Sequence, residues 1–108
     1  MKQLLLVFFS LCFFAQSFSQ SIAKQWNEEV LHAIRNDYAR PTVHARNLYH
    51  SSILMYDIWA NFDAQSETFF LGKTINGYNC NFNGFSSTTD NSTAIHQAIS
   101  FAMYRFIS

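Results

Sequence analysis

An all-α fold is what this sequence predicts, and three observations carry that expectation. Apolar residues recur at three- and four-residue steps over three stretches, at about 22–38, 41–61 and 93–107. The chain's single proline, Pro41, stands between the first two. Between the second and third, residues 63–91 combine Asn-Gly pairs with short aromatic runs, which suits a long irregular loop better than another helix.

In the first stretch Ile22, Trp26, Val30, Ala33, Ile34 and Tyr38 fall on one helical face, with Ser21 placed to cap it and acidic Glu28 and Glu29 in its first half. Pro41 disfavours helical backbone at Arg40 and suits the first turn of a new helix, where its missing N–H is no loss. The second helix has no single apolar stripe: Val43, Leu48, Met55 and Trp59 take one side while Ile53, Leu54, Ile58 and Phe62 fill much of the rest. A helix that is apolar on most sides is a buried one, so the chain reads as part of a larger helical protein. In the loop, Asn76-Gly77 and Asn83-Gly84 are turn signals compatible with one irregular hairpin. The third helix is expected to begin near Ser92 or Thr93, after Asp90, and to carry Ile95, Ile99, Ala102 and Phe106 at helical spacing. Its pattern is still running at Ser108, which suggests continuation beyond that residue.

Met1 and Lys2 precede an apolar run, Leu4 to Phe14, broken only by Ser10. The run has the length of a signal-peptide core and is too short to cross a bilayer. Ser17 and Ser19 place small residues at the −3 and −1 positions of a cleavage after Ser19. The expected organisation is a signal peptide at 1–19 and a partial helical domain at 20–108. The mature chain is then exported, periplasmic or extracellular, with no stable membrane anchor. Cys12 falls within the removed run and leaves Cys80 as the mature thiol, so no internal disulfide is expected despite the compartment.

Removing residues 1–19 takes Lys2 with it and leaves six Lys/Arg, seven less one, against seven Asp/Glu. Near-neutral charge without a basic cluster argues against nucleic acid as a partner. The full sequence's twelve Phe, five Tyr and two Trp remain a heavy aromatic load even after the signal peptide takes its share, in a chain short enough to bury only about 60 to 65% of its unfolded surface. Aromatic surface should remain for a protein partner, or for more of the same polypeptide, to cover.

Chemistry-bearing side chains concentrate in ARPTVHARNLYHSSILMYDIWANFD, residues 39–63. His44 and His50 are six residues apart, about 240° of helical rotation, and do not converge on one ion. Arg46 has no lone pair to give a metal. Asp57, His44 and His50 suit acid/base work by type alone, and the competing reading is that they are buried polar groups that cap loops or brace helices. Tyr49, Tyr56 and Trp59 read as core residues with one polar end hydrogen-bonded. Arg35 to Asp37 and Arg40 read as a network around Pro41. Ser51 and Ser52 lie in mid-helix without a nucleophile elbow. No catalytic, cofactor-binding or metal-ligating residue is assigned.

Trp26-Asn27-Glu28, Ala33-Ile34-Arg35, the run Ala39 to His50 (ARPTVHARNLYH) and Met55 to Ala60 (MYDIWA) closely resemble the N-terminal helical region of secreted bacterial proteins related to vanadium-dependent haloperoxidases, in the type-2 phosphatidic-acid-phosphatase superfamily. Ala94 to Phe106 resembles the next helix of that region, so the resemblance covers nearly the whole mature chain. It implies a mostly helical parent whose phosphate-like pocket holds vanadate or, in the phosphatases, forms a phospho-histidine. That pocket is built from a lysine followed after six residues by Arg-Pro, a Ser-Gly-His, and an arginine with a histidine six positions on. Arg40-Pro41 echoes the first element, but Ala33 stands where the lysine is required, and the other two motifs do not occur. The chain is therefore expected to be a scaffold fragment with no cofactor of its own, vanadate being implied only for a full-length relative, and its partner the missing C-terminal part of the same protein. The alternative is a stand-alone secreted helical module that docks on a protein partner. A third reading, a small enzyme using His44, His50 and Asp57, rests on residue type alone.

Overall fold

The computed structural model describes residues 21–108, and the signal-peptide reading at 1–19 lies outside them. The fold is all-α in its main elements: α1 (Ile22–Arg35), α2 (Pro41–Phe62) and α3 (Asn91–Ile107), with one two-stranded hairpin in the loop, β1 (Thr74–Ile75) and β2 (Tyr78–Asn79).

Helix α1 starts where Ser21 Oγ accepts a hydrogen bond from the Lys24 amide at 3.2 Å. It ends at Arg35, three residues short of the expected Tyr38. Local polar groups win over the apolar periodicity there. The Asn36 side chain donates to the His32 carbonyl at 2.9 Å, and Asp37 Oδ1 accepts from the Tyr38 amide at 2.7 Å and from the Arg40 guanidinium at 3.0 Å. Pro41 then holds Arg40 out of helical backbone, at φ −126° and ψ 75°. The expected network around Pro41 is present, though Arg35 turns away from it to face Glu28 at 4.0 Å in the solvent.

Helix α2 begins on Pro41 and runs 22 residues, one further than expected. Helix α3 starts two residues earlier than expected, because Asp90 is its cap: Asp90 Oδ2 accepts from the Thr93 amide at 2.9 Å. In the hairpin, Thr74 pairs with Asn79 and Ile75 with Tyr78, so Asn76-Gly77 is a two-residue turn. Both turn residues have positive φ, 51° and 82°, which is the mirror-image turn that Asn-Gly favours.

Helices α1 and α3 lie side by side in the same direction. Ile22 and Ile95 line one groove at one end, Trp26 Nε1 donates to Ser100 Oγ at 3.3 Å in the middle, and Ile34 and Phe106 line another groove at the other end. Helix α2 runs the opposite way against both, with Asn47 beside Ile34 and Phe106, and Met55 beside Ile22 and Ile95. Val30, Met55, Ile99 and Met103 form the buried centre, and Trp26, Leu48, Leu54 and Ile58 pack around it half-buried. Helix α2 is only partly enclosed: Ser51, Met55, Asp57 and Ala60 are buried, whereas Tyr49, Tyr56 and Trp59 are exposed.

The Asp90 cap makes a pH-dependent contribution. Hydrogen bonds from Thr93 hold the Asp90 carboxyl below its ordinary value of 3.8. A depressed carboxylate contributes stability above its unfolded value, and the contribution disappears as pH falls through the folded one. Helix α3 is expected to fray at its first turn as pH drops below about 3.8, and Asp90→Ala is expected to show the same fraying at neutral pH. Amide exchange at Ser92, Thr93 and Ala94 measures both.

Candidate functional site

The polar residues of the 39–63 stretch are drawn to three different parts of the fold. Asp57 is 4% exposed and points from α2 into the loop. Its carboxylate accepts three consecutive backbone amides: Phe69 on Oδ1, and Phe70 at 2.8 Å and Leu71 at 3.0 Å on Oδ2. Three converging N–H groups satisfy the buried charge without a cation, as a backbone nest satisfies an anion. The loop-capping reading of Asp57 is therefore the observed one. Nearby, Tyr56 Oη donates to the Glu67 carbonyl at 3.0 Å, and Lys73 Nζ faces Glu67 at 3.2 Å.

His44 braces the junction between α1 and α2. Its Nε2 lies 3.0 Å from the Tyr38 carbonyl and 3.3 Å from the Arg40 amide, so one tautomer donates to the first and the other accepts from the second. Asp37, in the same junction, is held below the ordinary carboxylate value chiefly by the Tyr38 amide, with Arg40 adding to the effect. His50 departs from expectation. It is exposed on α2, with its ring set edge-on to Tyr49 at 5.6 Å, because the six-residue spacing from His44 turns it away from the neighbouring helices. Tyr49, Tyr56 and Trp59 also differ from the core reading: each is more than 40% exposed. Among the described residues, only Tyr56 has the polar-end bond to protein that was expected.

Among the described residues no group of three or more His, Cys, Asp or Glu is placed to share a metal ion. A vanadate or phosphate cradle needs several cationic donors converging on one point. Here Arg35 faces Glu28, Arg40 faces Asp37 and Lys73 faces Glu67, on three separate segments. Lys24, Arg46 and Arg105 belong to three different helices. Cys80 is a half-buried free thiol whose backbone is tied into the loop, its amide to the Lys73 carbonyl and its carbonyl to the Gly72 amide, both at 3.1 Å.

An open groove of about 720 Å³ lies where the first turns of α1 and α3 meet the middle of α2. Ile22, Met55, Trp59, Ile95 and Ile99 give it an apolar floor, and Asn27, Ser52 and His96 stand along it. A second groove, about 420 Å³, lies at the other end between Ile34, His44, Asn47 and Phe106. Neither was evident beforehand, because each is assembled from all three helices and has no local motif. Comparisons with protein-family models, with curated proteins and with solved structures give no match to this chain.

Proposed function

We propose that this chain is a non-catalytic scaffold segment from the N-terminal region of an exported protein of the vanadium haloperoxidase or acid-phosphatase type. Its partner is the C-terminal remainder of that protein, which supplies the oxyanion pocket and its chemistry: halide oxidation by peroxide at vanadate, or phosphoester hydrolysis. The observation that carries the reading is the incomplete cover of α2. Its apolar residues occupy most of its circumference, yet Tyr49, Tyr56 and Trp59 stand exposed, and α3 adds exposed Phe101, Tyr104 and Phe106. Further support comes from the resemblance over Ala39 to Ala60, and from the polar residues there, of which Asp57 and His44 are committed to bracing contacts.

Helices with this much open apolar surface do not form one cooperative unit by themselves. Residues 20–108 in isolation are expected to give helical circular dichroism and a broad, weak melt. A sharp two-state transition overturns the reading. Sequencing the locus past the Ser108 codon gives the second check: an in-frame lysine-to-Arg-Pro element, a Ser-Gly-His and an arginine with its histidine are the expected result.

The exposed aromatics also favour a second reading, a secreted helical module that docks through them on a separate protein. A confirmed stop codon after Ser108, together with a cooperative melt, selects it.

A further inference from the structure

We propose that Asn83 is a site of spontaneous covalent change, converting to aspartate and isoaspartate ahead of the chain's other Asn-Gly pair at Asn76. In the first step the Gly84 backbone nitrogen, on losing its proton, attacks Asn83 Cγ. The new N–Cγ bond closes a five-membered imide, the Cγ–Nδ2 bond breaks, and Nδ2 departs as ammonia. Water then adds to one of the two ring carbonyls and opens the imide. Attack at the backbone carbonyl leaves isoaspartate, whose side-chain carboxyl now carries the main chain; attack at the other leaves aspartate. Water is the only co-reactant.

Both pairs have glycine in second place, where the missing Cβ lets the nitrogen approach the side chain. They differ in what ring closure must break. Asn76 sits in the hairpin turn at φ 51°, flanked by the bonded pair Ile75 and Tyr78. Turning its backbone to bring the Gly77 nitrogen to Cγ disrupts that pair. Asn83 is exposed, and among the described residues neither it nor Gly84 takes part in a hydrogen bond. Gly77 and Gly84 are alike in space, each at φ 82° with nothing within 4 Å of a side-chain carbon built there, so the hairpin pairing is what separates the two sites.

The position matters because Asn83 lies between two anchors of the loop. Phe82 and Phe85 line a small apolar pocket of about 180 Å³ with Ile58, Phe62 and Leu71. Phe85 meets the Phe62 ring edge to face at 5.9 Å. Isoaspartate lengthens the backbone between the two anchors by one carbon and adds a negative charge beside them. Conversion therefore loosens Phe85 from α2.

The test is an incubation of the purified protein at mildly alkaline pH, with peptides mapped by mass spectrometry over time and isoaspartate counted enzymatically. In the folded protein Asn83 is expected to convert severalfold faster than Asn76, and the two rates are expected to become equal in urea. Equal rates in the folded protein, or faster loss of Asn76, overturn the proposal. Asn83→Gln is expected to remove the major isoaspartate signal, and its persistence in that variant has the same consequence. Because the wild-type comparison uses two sites in one molecule, it holds even if the variant misfolds.

Discussion

Replacing Asp57 with alanine is expected to detach the first part of the loop from α2 and to raise amide exchange at Phe69, Phe70 and Leu71 by roughly 100-fold. The carboxylate is buried and holds all three of those amides. Hydrogen bonds to a charged acceptor are the stronger kind, and removing the acceptor leaves three donors facing an apolar surface or newly admitted water. Together these effects correspond to about 3 kcal/mol of local opening free energy. Helix α2 itself should persist, since Ser51, Met55 and Ala60 remain buried on it. Asp57→Asn is expected to fall between the wild type and the alanine variant, at about tenfold, because one oxygen is kept while an N–H₂ group meets the remaining donors. Glu67→Ala removes only the exposed pair with Lys73 and should change exchange little. Unchanged exchange in Asp57→Ala would show that other contacts hold the loop.

The contrast between Asp57 and the helices indicates what was legible in the sequence. Apolar residues at three- and four-residue steps announced α1 and α3, and a run apolar on most sides after Pro41 announced α2, because helical spacing is a local property that burial then rewards. Their ends were less legible. The apolar pattern extends to Tyr38, but Asp37 bonding to Tyr38 and Arg40 stops α1 at Arg35, and only the geometry reveals that choice. Asp90, by accepting from the Thr93 amide, likewise starts α3 at Asn91, two residues before the expected position 93. The hairpin was foreshadowed by Asn76-Gly77 because a two-residue mirror-image turn leaves a compositional mark. For Asp57, the need for partners could be read from a carboxylate on an apolar helix. The partners themselves could not, since backbone amides 12 to 14 residues away carry no side-chain signature. His50 went the other way: a polar residue in a mostly apolar helix suggested burial, but its angular position places it on the open side. The two grooves were invisible for a related reason, being properties of three helices packed together.

Met103 carries the other large expected effect. It is the most deeply buried apolar side chain described, 0% exposed, and packs in one cluster with Val30, Met55 and Ile99 where the three helices meet. Met103→Ala removes several methylene-sized groups from that centre and leaves a cavity, a change that costs about 3 kcal/mol in an ordinary core. With so few fully buried apolar residues to share the loss, the isolated chain is expected to keep part of its helical dichroism while the fluorescence of Trp26 and Trp59 shifts toward that of indole in water. A broad melt yields no single unfolding free energy, so the comparison is made at low temperature on those two signals. Tyr104→Ala, the neighbouring substitution at a 64% exposed position, is the control and should leave both nearly unchanged. If a C-terminal remainder of the kind proposed above covers the exposed faces, adding it should recover the tryptophan signal of Met103→Ala, because new apolar burial around α2 and α3 offsets the cavity. Recovery would join this core to the larger helical body; failure to recover with a binding-competent remainder would mean that the three helices stand apart from it energetically.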